Sequence, residues 1–166
     1  MRDLDEQALQ AEQKKADIGP DIDLAEYDSS SPDHSMVGEL HGISATDRDR
    51  MILAGIDTDE EERAGTFIQK DASAIFSRSY VDGLEIYPIK EALGNLDWVN
   101  DYYWKLASVD TDKYTSRAYR ELHNGYVIRA LPGSKVAFPV QACMYLEKEG
   151  LSQNAVSYTH LTLPTN

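Results

Sequence analysis

Cysteine is almost absent: one thiol, Cys143, in 166 residues, which excludes an internal disulfide and any multi-cysteine zinc site. Basic residues are scarce as well. Sixteen Lys and Arg stand against 29 Asp and Glu, a formal charge of −13, so no nucleic-acid binder or anionic-membrane binder driven by its own charge is expected. Long apolar runs are missing too. The longest has five residues, Ala142 to Leu146, against about 18 for a membrane span. Met1, Arg2 and Asp3 lead straight into Asp5, Glu6 and Gln7; no apolar signal segment is visible, and the cytoplasm is the expected compartment. What the chain does have is a 42% hydrophobic fraction, enough for the core of one domain if it is concentrated.

The charge is not spread evenly. Residues 1 to 62 hold 18 acids and 5 bases, while residues 63 to 166 hold 11 of each. The acidic third also contains Asp28-Ser-Ser-Ser-Pro-Asp-His-Ser35 and Asp57-Thr-Asp-Glu-Glu-Glu62, a composition of short helices on solvated linker, with only Leu4, Ala8, Leu9 and Ala16 as a thin apolar stripe. Thr46 is a candidate N-cap for a helix through Ala54, ended by Gly55. The period then changes. Thr66–Lys70, Ala74–Arg78 and Leu84–Tyr87 are strand-like runs separated by Asp71 and by Asp82-Gly83. Pro88 opens a helix to Leu93, Asp97 caps another through Leu106, and a third follows Asp110-Thr-Asp112 to about Leu122. After Asn124-Gly125 come strand-like Tyr126–Leu131, the turn Pro132-Gly133-Ser134, strand-like Lys135–Phe138 and the apolar run Val140–Leu146.

Few residues here carry chemistry in a recognisable frame. His34 and His41 with Glu39 fit no closed zinc spacing. Asp57-x-Asp59 and Asp110-x-Asp112 open like calcium loops, but position six is Glu62 in one and Thr115 in the other, where a glycine is needed. Asp110 and Asp112 are better read as caps of the helix that follows. Pro132-Gly-Ser-Lys135 lacks the P-loop frame. Trp98, Tyr102, Tyr103, Trp104, Tyr114 and Tyr119 could stack on bases, yet without a basic field they are expected to be core. Cys143, inside an apolar run, is expected to be a small buried hydrophobe. With His123 the one histidine of the core-forming part, no nucleophilic triad can be assembled. No catalytic, cofactor-binding or metal-binding residue is assigned.

Val156 to Thr165, Val-Ser-Tyr-Thr-His-Leu-Thr-Leu-Pro-Thr, resembles the in-frame translation of the mosaic-end adapter of transposase-based sequencing libraries. Residues 156–166, His160 included, are therefore expected to be non-native and outside the fold, and the natural frame to continue past Ala155.

The order of segments carries more than any single motif. Ala64-Gly-Thr-Phe-Ile-Gln-Lys-Asp71, Ile75-Phe-Ser-Arg-Ser79 and Gly83-Leu-Glu-Ile-Tyr-Pro-Ile-Lys-Glu-Ala92 resemble the N-terminal region of the SufB/SufD family of iron–sulfur cluster assembly proteins. Tyr103–Leu106, Thr111–Tyr114 and above all Gly125-Tyr-Val-Ile-Arg-Ala-Leu-Pro-Gly-Ser-Lys-Val-Ala-Phe-Pro-Val-Gln-Ala142 resemble the stretch that leads into that family's core. The resemblance spans roughly residues 46 to 155. It implies an α+β N-terminal region leading into the first rungs of a right-handed parallel β-helix, with Val127, Val136, Phe138 and Val140 lining the stacked interior. The implied organisation is an acidic, helical or flexible arm over 1–45, a mixed helix and strand region over 46–124, the start of the β-helix over 125–155, and the tail. A solenoid cut so early would leave an open apolar edge.

The resemblance further implies a non-enzymatic scaffold subunit, pairing with a second SufB/SufD-like subunit and a SufC-type ATPase, around an iron–sulfur cluster. The family's cluster-handling residues and ATPase-binding segment lie in its C-terminal half, and no position here matches them. No cluster is therefore expected on this chain itself, and Cys143 is not assigned as a ligand. Two alternatives stand beside this reading: an acidic, non-catalytic interaction module, and a β-solenoid enzyme cleaving carbohydrate with paired carboxylates.

Overall fold

Gly65–Lys70 is buried at all six positions, and the rest of the fold is arranged around this strand. The computed structural model describes residues 4–59 and 61–159. These form helices α1 (Leu4–Ala11), α2 (Ala45–Leu53), α3 (Ile89–Asn95) and α4 (Lys113–Arg120), with strands β1 (Gly65–Lys70), β2 (Ser73–Ser79), β3 (Leu84–Pro88), β4 (Tyr126–Ala130) and β5 (Val140–Tyr145). Strand β1 is central in a sheet of order β2-β1-β5, antiparallel to β2 and parallel to β5. Strands β3 and β4 make a second, antiparallel sheet.

Alternation along β1 sends its side chains into two cores. Ile68 joins Leu40, Ile43, Met51, Ile56, Ile75 and Phe76, so that α2 and its approach cover one face. Phe67 joins Ala64, Leu84 and Ile86, so that the β3–β4 sheet covers the other. The second contact needs a glycine. A Cβ on Gly65 would lie 2.4 Å from Ile86 Cδ1 and 2.8 Å from the Arg78 carbonyl oxygen, so only a bare backbone lets the two sheets close here.

The implied β-helix is not what the chain forms. The fold is a small α+β one with four helices and two small sheets among the described residues. Stacked rungs would place β4 and β5 in one parallel ladder. Instead β4 lies antiparallel to β3, Leu84 opposite Ala130 and Pro88 opposite Tyr126, while β5 lies beside β1 in the other sheet. The reason is that each strand finds a nearer partner. Leu131 N–H donates to the Gly83 carbonyl and ties β4 to β3; Ala64 N–H donates to Pro139 O and Asp71 N–H to Tyr145 O, each 2.9 Å or less, fastening both ends of β5 to β1. Lys135–Phe138 forms no strand, and Val136 and Phe138 are exposed rather than interior. The inference of an edge left by a cut solenoid lapses with the solenoid.

Local signals fare better than pairings. The three expected strands form as β1, β2 and β3, and Pro88 precedes α3. Helix α2 starts earlier than expected, because the Ser44 hydroxyl, not Thr46, accepts the Asp47 amide at 3.1 Å. The helix expected from Asp97 to Leu106 is a single 3-10 turn, Asp97–Asp101, and Trp104 at φ 53° lies beyond helical geometry.

Asp112 does cap α4. Its Oδ1 accepts the amides of Tyr114 and Thr115 at 3.0 and 2.9 Å, its Oδ2 accepts the Asp17 amide at 3.1 Å, and Thr115 Oγ1 accepts the Asp112 amide in return. Burial pushes this carboxyl upward, but the bonds from Thr115, Asp17 and Tyr114 outweigh it and hold the pKa below the ordinary 3.8. Its stabilisation is therefore full above the unfolded value and lost as pH falls through the lower folded one. Asp112→Ala should cost about 1–2 kcal/mol in urea unfolding at neutral pH, and the difference from the parent should shrink well below pH 3.8. A deficit of the same size at strongly acid pH would show that the charge is not what caps the helix.

Candidate functional site

The turn from β1 to β2 places a carboxylate where a strand would normally hide none. Asp71 sits at φ 50° and is 2% exposed. A short polar side chain tolerates the left-handed region that the tight turn needs. From there its Oδ1 accepts the backbone amides of Glu147 and Lys148 at 2.7 and 3.0 Å. Its Oδ2 lies 3.0 Å from His34 Nε2. The Gln69 side-chain amide donates to the Asp71 carbonyl at 2.8 Å, and the loop ahead of α2 is held by His34 N–H on Ser73 Oγ and Ala72 N–H on Ser31 Oγ. One carboxylate thus joins three distant stretches of chain.

A second layer of charge adjoins it. Lys70 Nζ lies 2.9 Å from Asp47 Oδ1 and 2.5 Å from Glu147 Oε2, and Arg50 pairs with the other Glu147 oxygen. Asp47 is in the first turn of α2, where Ser44 Oγ also donates to it. Burial pushes its carboxyl up, but Lys70 and Ser44 prevail and hold it below the usual range. The Tyr145 hydroxyl is buried beside this network without a hydrogen-bond partner. Burial, with the negative charges of Asp47 and Asp71, pushes it to about 12, so it stays neutral at physiological pH.

His34, Asp71 and Glu147 offer donor atoms within 4.8 Å of one another, beside an open cleft of about 500 Å³ lined also by Ser30, Ser31, Pro32 and Lys148. They are the residues that could approach a divalent cation. Their lone pairs are largely spent within the chain: Asp71 Oδ1 on two amides, and both Glu147 oxygens on Arg50 and Lys70. The cluster is a fastener, in which the buried Asp71 carboxylate is satisfied by amides and the outer Asp47 and Glu147 carboxylates by cations.

The residues weighed from the sequence are scattered. His34 and His41 part company: His41 pairs with Glu39 at 2.5 Å on the surface, while His34 turns to Asp71. Asp57 accepts the Asp59 amide at 3.0 Å and faces Arg63 at 3.4 Å. Asp110 accepts from Ser108. The aromatic set splits into Trp98 against Tyr102, 6.2 Å between centroids, and Trp104 against Tyr103 and Tyr119. Arg129 stacks over Trp98 at 4.6 Å. In the tail, Tyr158 stacks on Tyr102 at 6.4 Å, and His160 with residues 161–166 lies outside the described residues. Asp71, Glu147, Lys70 and Asp47 went unnoticed as a group. Lys70 and Asp71 are adjacent, but Asp47 lies 23 residues before Lys70 and Glu147 lies 76 after Asp71, which leaves no local spacing to read.

Cys143 packs against the first core and is half-buried. Burial pushes its thiol up, with Arg63 only partly opposing, the reverse of what a thiolate ligand requires. A cluster held by thiolates does not fit this environment.

The comparisons with known proteins agree with the family resemblance. No family model matches the chain. An iron-sulfur cluster assembly SufBD family protein of Methanothermobacter thermautotrophicus strain Winter is 39% identical over 160 residues, 93% of this chain and 39% of that protein. A SufBD family protein of strain Delta H matches with the same identity and coverage. One of Archaeoglobus fulgidus is 42% identical over 116 residues, 68% of this chain and 31% of that protein. The chain belongs to the SufB/SufD family, and it spans about two fifths of the length of the first curated relatives it matches.

Proposed function

We propose that this chain is part of a scaffold subunit for iron–sulfur cluster assembly, working without catalysis of its own beside a SufC-type ATPase and a second SufB/SufD-like subunit. The observation that carries the reading is identity of 39–42% to proteins named for that process, across most of the chain. In this reading the cluster is cargo of the whole assembly, handled by parts of the protein outside this segment. The cytoplasm is the proposed compartment; no helix among the described residues is long and apolar enough to cross a membrane.

The carbohydrate-acting alternative needed carboxylates on neighbouring rungs and falls with the solenoid. The acidic interaction module remains the second reading, favoured by the excess of acids in residues 1–62. Affinity purification of the full-length gene product should bring down the ATPase and the second subunit together. Recovery of neither, from cells expressing both, would reject the scaffold reading and leave the interaction module.

A further inference from the structure

The acidic arm is not free in solvent. Helix α1 lies on α4 with Ala8 and Ala11 fully buried, and Ser116 Oγ donates to the Ala8 carbonyl at 2.7 Å. From Glu12 onward the contact changes character. Glu12 meets Arg120 at 2.8 Å, Asp21 meets Lys113 at 2.6 Å, and Arg117 donates to the carbonyls of Leu24 and Tyr27. The Tyr114 hydroxyl donates to Pro20 O and accepts the Ile22 amide. Almost no apolar surface is buried with them: Ile18 is 86% exposed and Ile22 42%. Lys113, Arg117 and Arg120 stand at i, i+4 and i+7, one stripe of a helix. The segment from 12 to 27, which bends at Gly19 and closes in a 3-10 turn at Leu24–Glu26, is thus an acidic strap laid along a cationic stripe and held by ion pairs whose carboxylates, on Glu12 and Asp21, are open to solvent and so to screening by salt.

We propose that the Lys113–Arg117–Arg120 stripe of α4 is a docking surface for an acidic peptide segment of a partner protein, and that residues 12–27 occupy it as an internal strap which such a partner displaces. The fit is chemical. Lys113 and Arg120 take carboxylates, while Arg117 and Tyr114 take backbone carbonyls and an amide, a pattern that a peptide with two acids spaced as Glu12 and Asp21 are can reproduce. The strap can leave without unfolding the chain, because α1 anchors it on one side and Asp28, bonded to Gly150 and Lys148, anchors it on the other.

Two measurements on the full chain test this. Hydrogen exchange of the Ile22 and Asp17 amides should quicken about tenfold as salt rises from about 0.01 to about 1 M, over which the Debye length falls from about 30 to about 3 Å, while β1 amides stay protected. Arm amides that exchange at one rate at every salt concentration would overturn the strap. A fluorescent peptide of residues 10–28 should bind the Glu12→Gln, Asp21→Asn double variant about tenfold more tightly than the parent, since the competing strap is weakened. It should lose that binding when Lys113→Gln and Arg120→Gln are added. Equal binding to parent and strap variant, or none to either, would overturn the docking surface. So would equal competition by a DNA oligonucleotide of matched charge, which would make the stripe a general polyanion surface.

Discussion

Replacing Asp71 by alanine should lower folding stability by about 3–5 kcal/mol, the larger part from two backbone amides left without an acceptor. The amides of Glu147 and Lys148 donate to Asp71 Oδ1, and each buried donor stranded in this way costs about 1–3 kcal/mol. Alanine at φ 50° adds about 1 kcal/mol of backbone strain that aspartate tolerates better. Asp71→Asn keeps an acceptor oxygen and the tolerance for left-handed backbone, and should recover more than half of the loss. Asp71→Gly should recover only the backbone part. Urea unfolding of the three variants separates these contributions. If alanine and asparagine cost the same, the carboxamide oxygen is not replacing the carboxylate, and the fastener reading of the site fails. The loss should also be felt at a distance, since the lost carboxylate is what accepts the Glu147 and Lys148 amides just past the end of β5. Exchange at Cys143 and Tyr145 amides should rise in the alanine variant.

Phe67→Ala should cost about 3–5 kcal/mol, the range for an aromatic side chain deleted from a packed core. Phe67 is fully buried in the middle of β1, and its ring lies 5.4 Å from that of Tyr126 on β4. It is the side chain through which the β2-β1-β5 sheet meets the β3–β4 sheet. For a chain of this length the melting temperature should fall by roughly 10 °C. Phe67→Leu keeps most of the volume and should cost about 1–1.5 kcal/mol. A drop of under about 1 kcal/mol for alanine would mean that the two sheets stand independently. Hydrogen exchange offers a second check: amides of β3 and β4 should lose protection before those of β1, whose other face still packs on α2.

Most individual elements were legible because their causes lie within a few residues. Asp71 and Asp82-Gly83 mark turns, Pro88 marks a helix start, and Asp112 with Thr115 forms a reciprocal cap, all from local chemistry. The same locality misled where two signals were close together. Ser44 and Thr46 are both competent caps, and only the backbone path after buried Ile43 selects the first. The aromatic run Tyr102-Tyr103-Trp104 suggested a continuing helix, but Trp104 takes a positive φ and packs edge-on against Tyr119. Strand pairing was the larger miss. The sequence pattern marks Tyr126–Leu131 as strand-like and Val140–Leu146 as an apolar run, but not which edge each one joins. The family resemblance implied one ladder; β4 and β5 entered two sheets because Gly83, Ala64 and Asp71 supply backbone partners in different places.

The sequence by itself determined the single thiol, the confinement of the net negative charge to the first 62 residues, strands β1 to β4, the Asp112 cap, and the kinship with the SufB/SufD family. Tertiary structure alone decided three things. It chose the partners of β4 and β5, it gathered His34, Asp71 and Glu147 at one cleft, and it laid the acidic arm along α4 instead of leaving it in solvent. Caps, turns and alternation are set by interactions over a few residues and are written where they act. Pairings across tens of residues are settled only when burial and hydrogen bonding choose among edges that look alike one at a time.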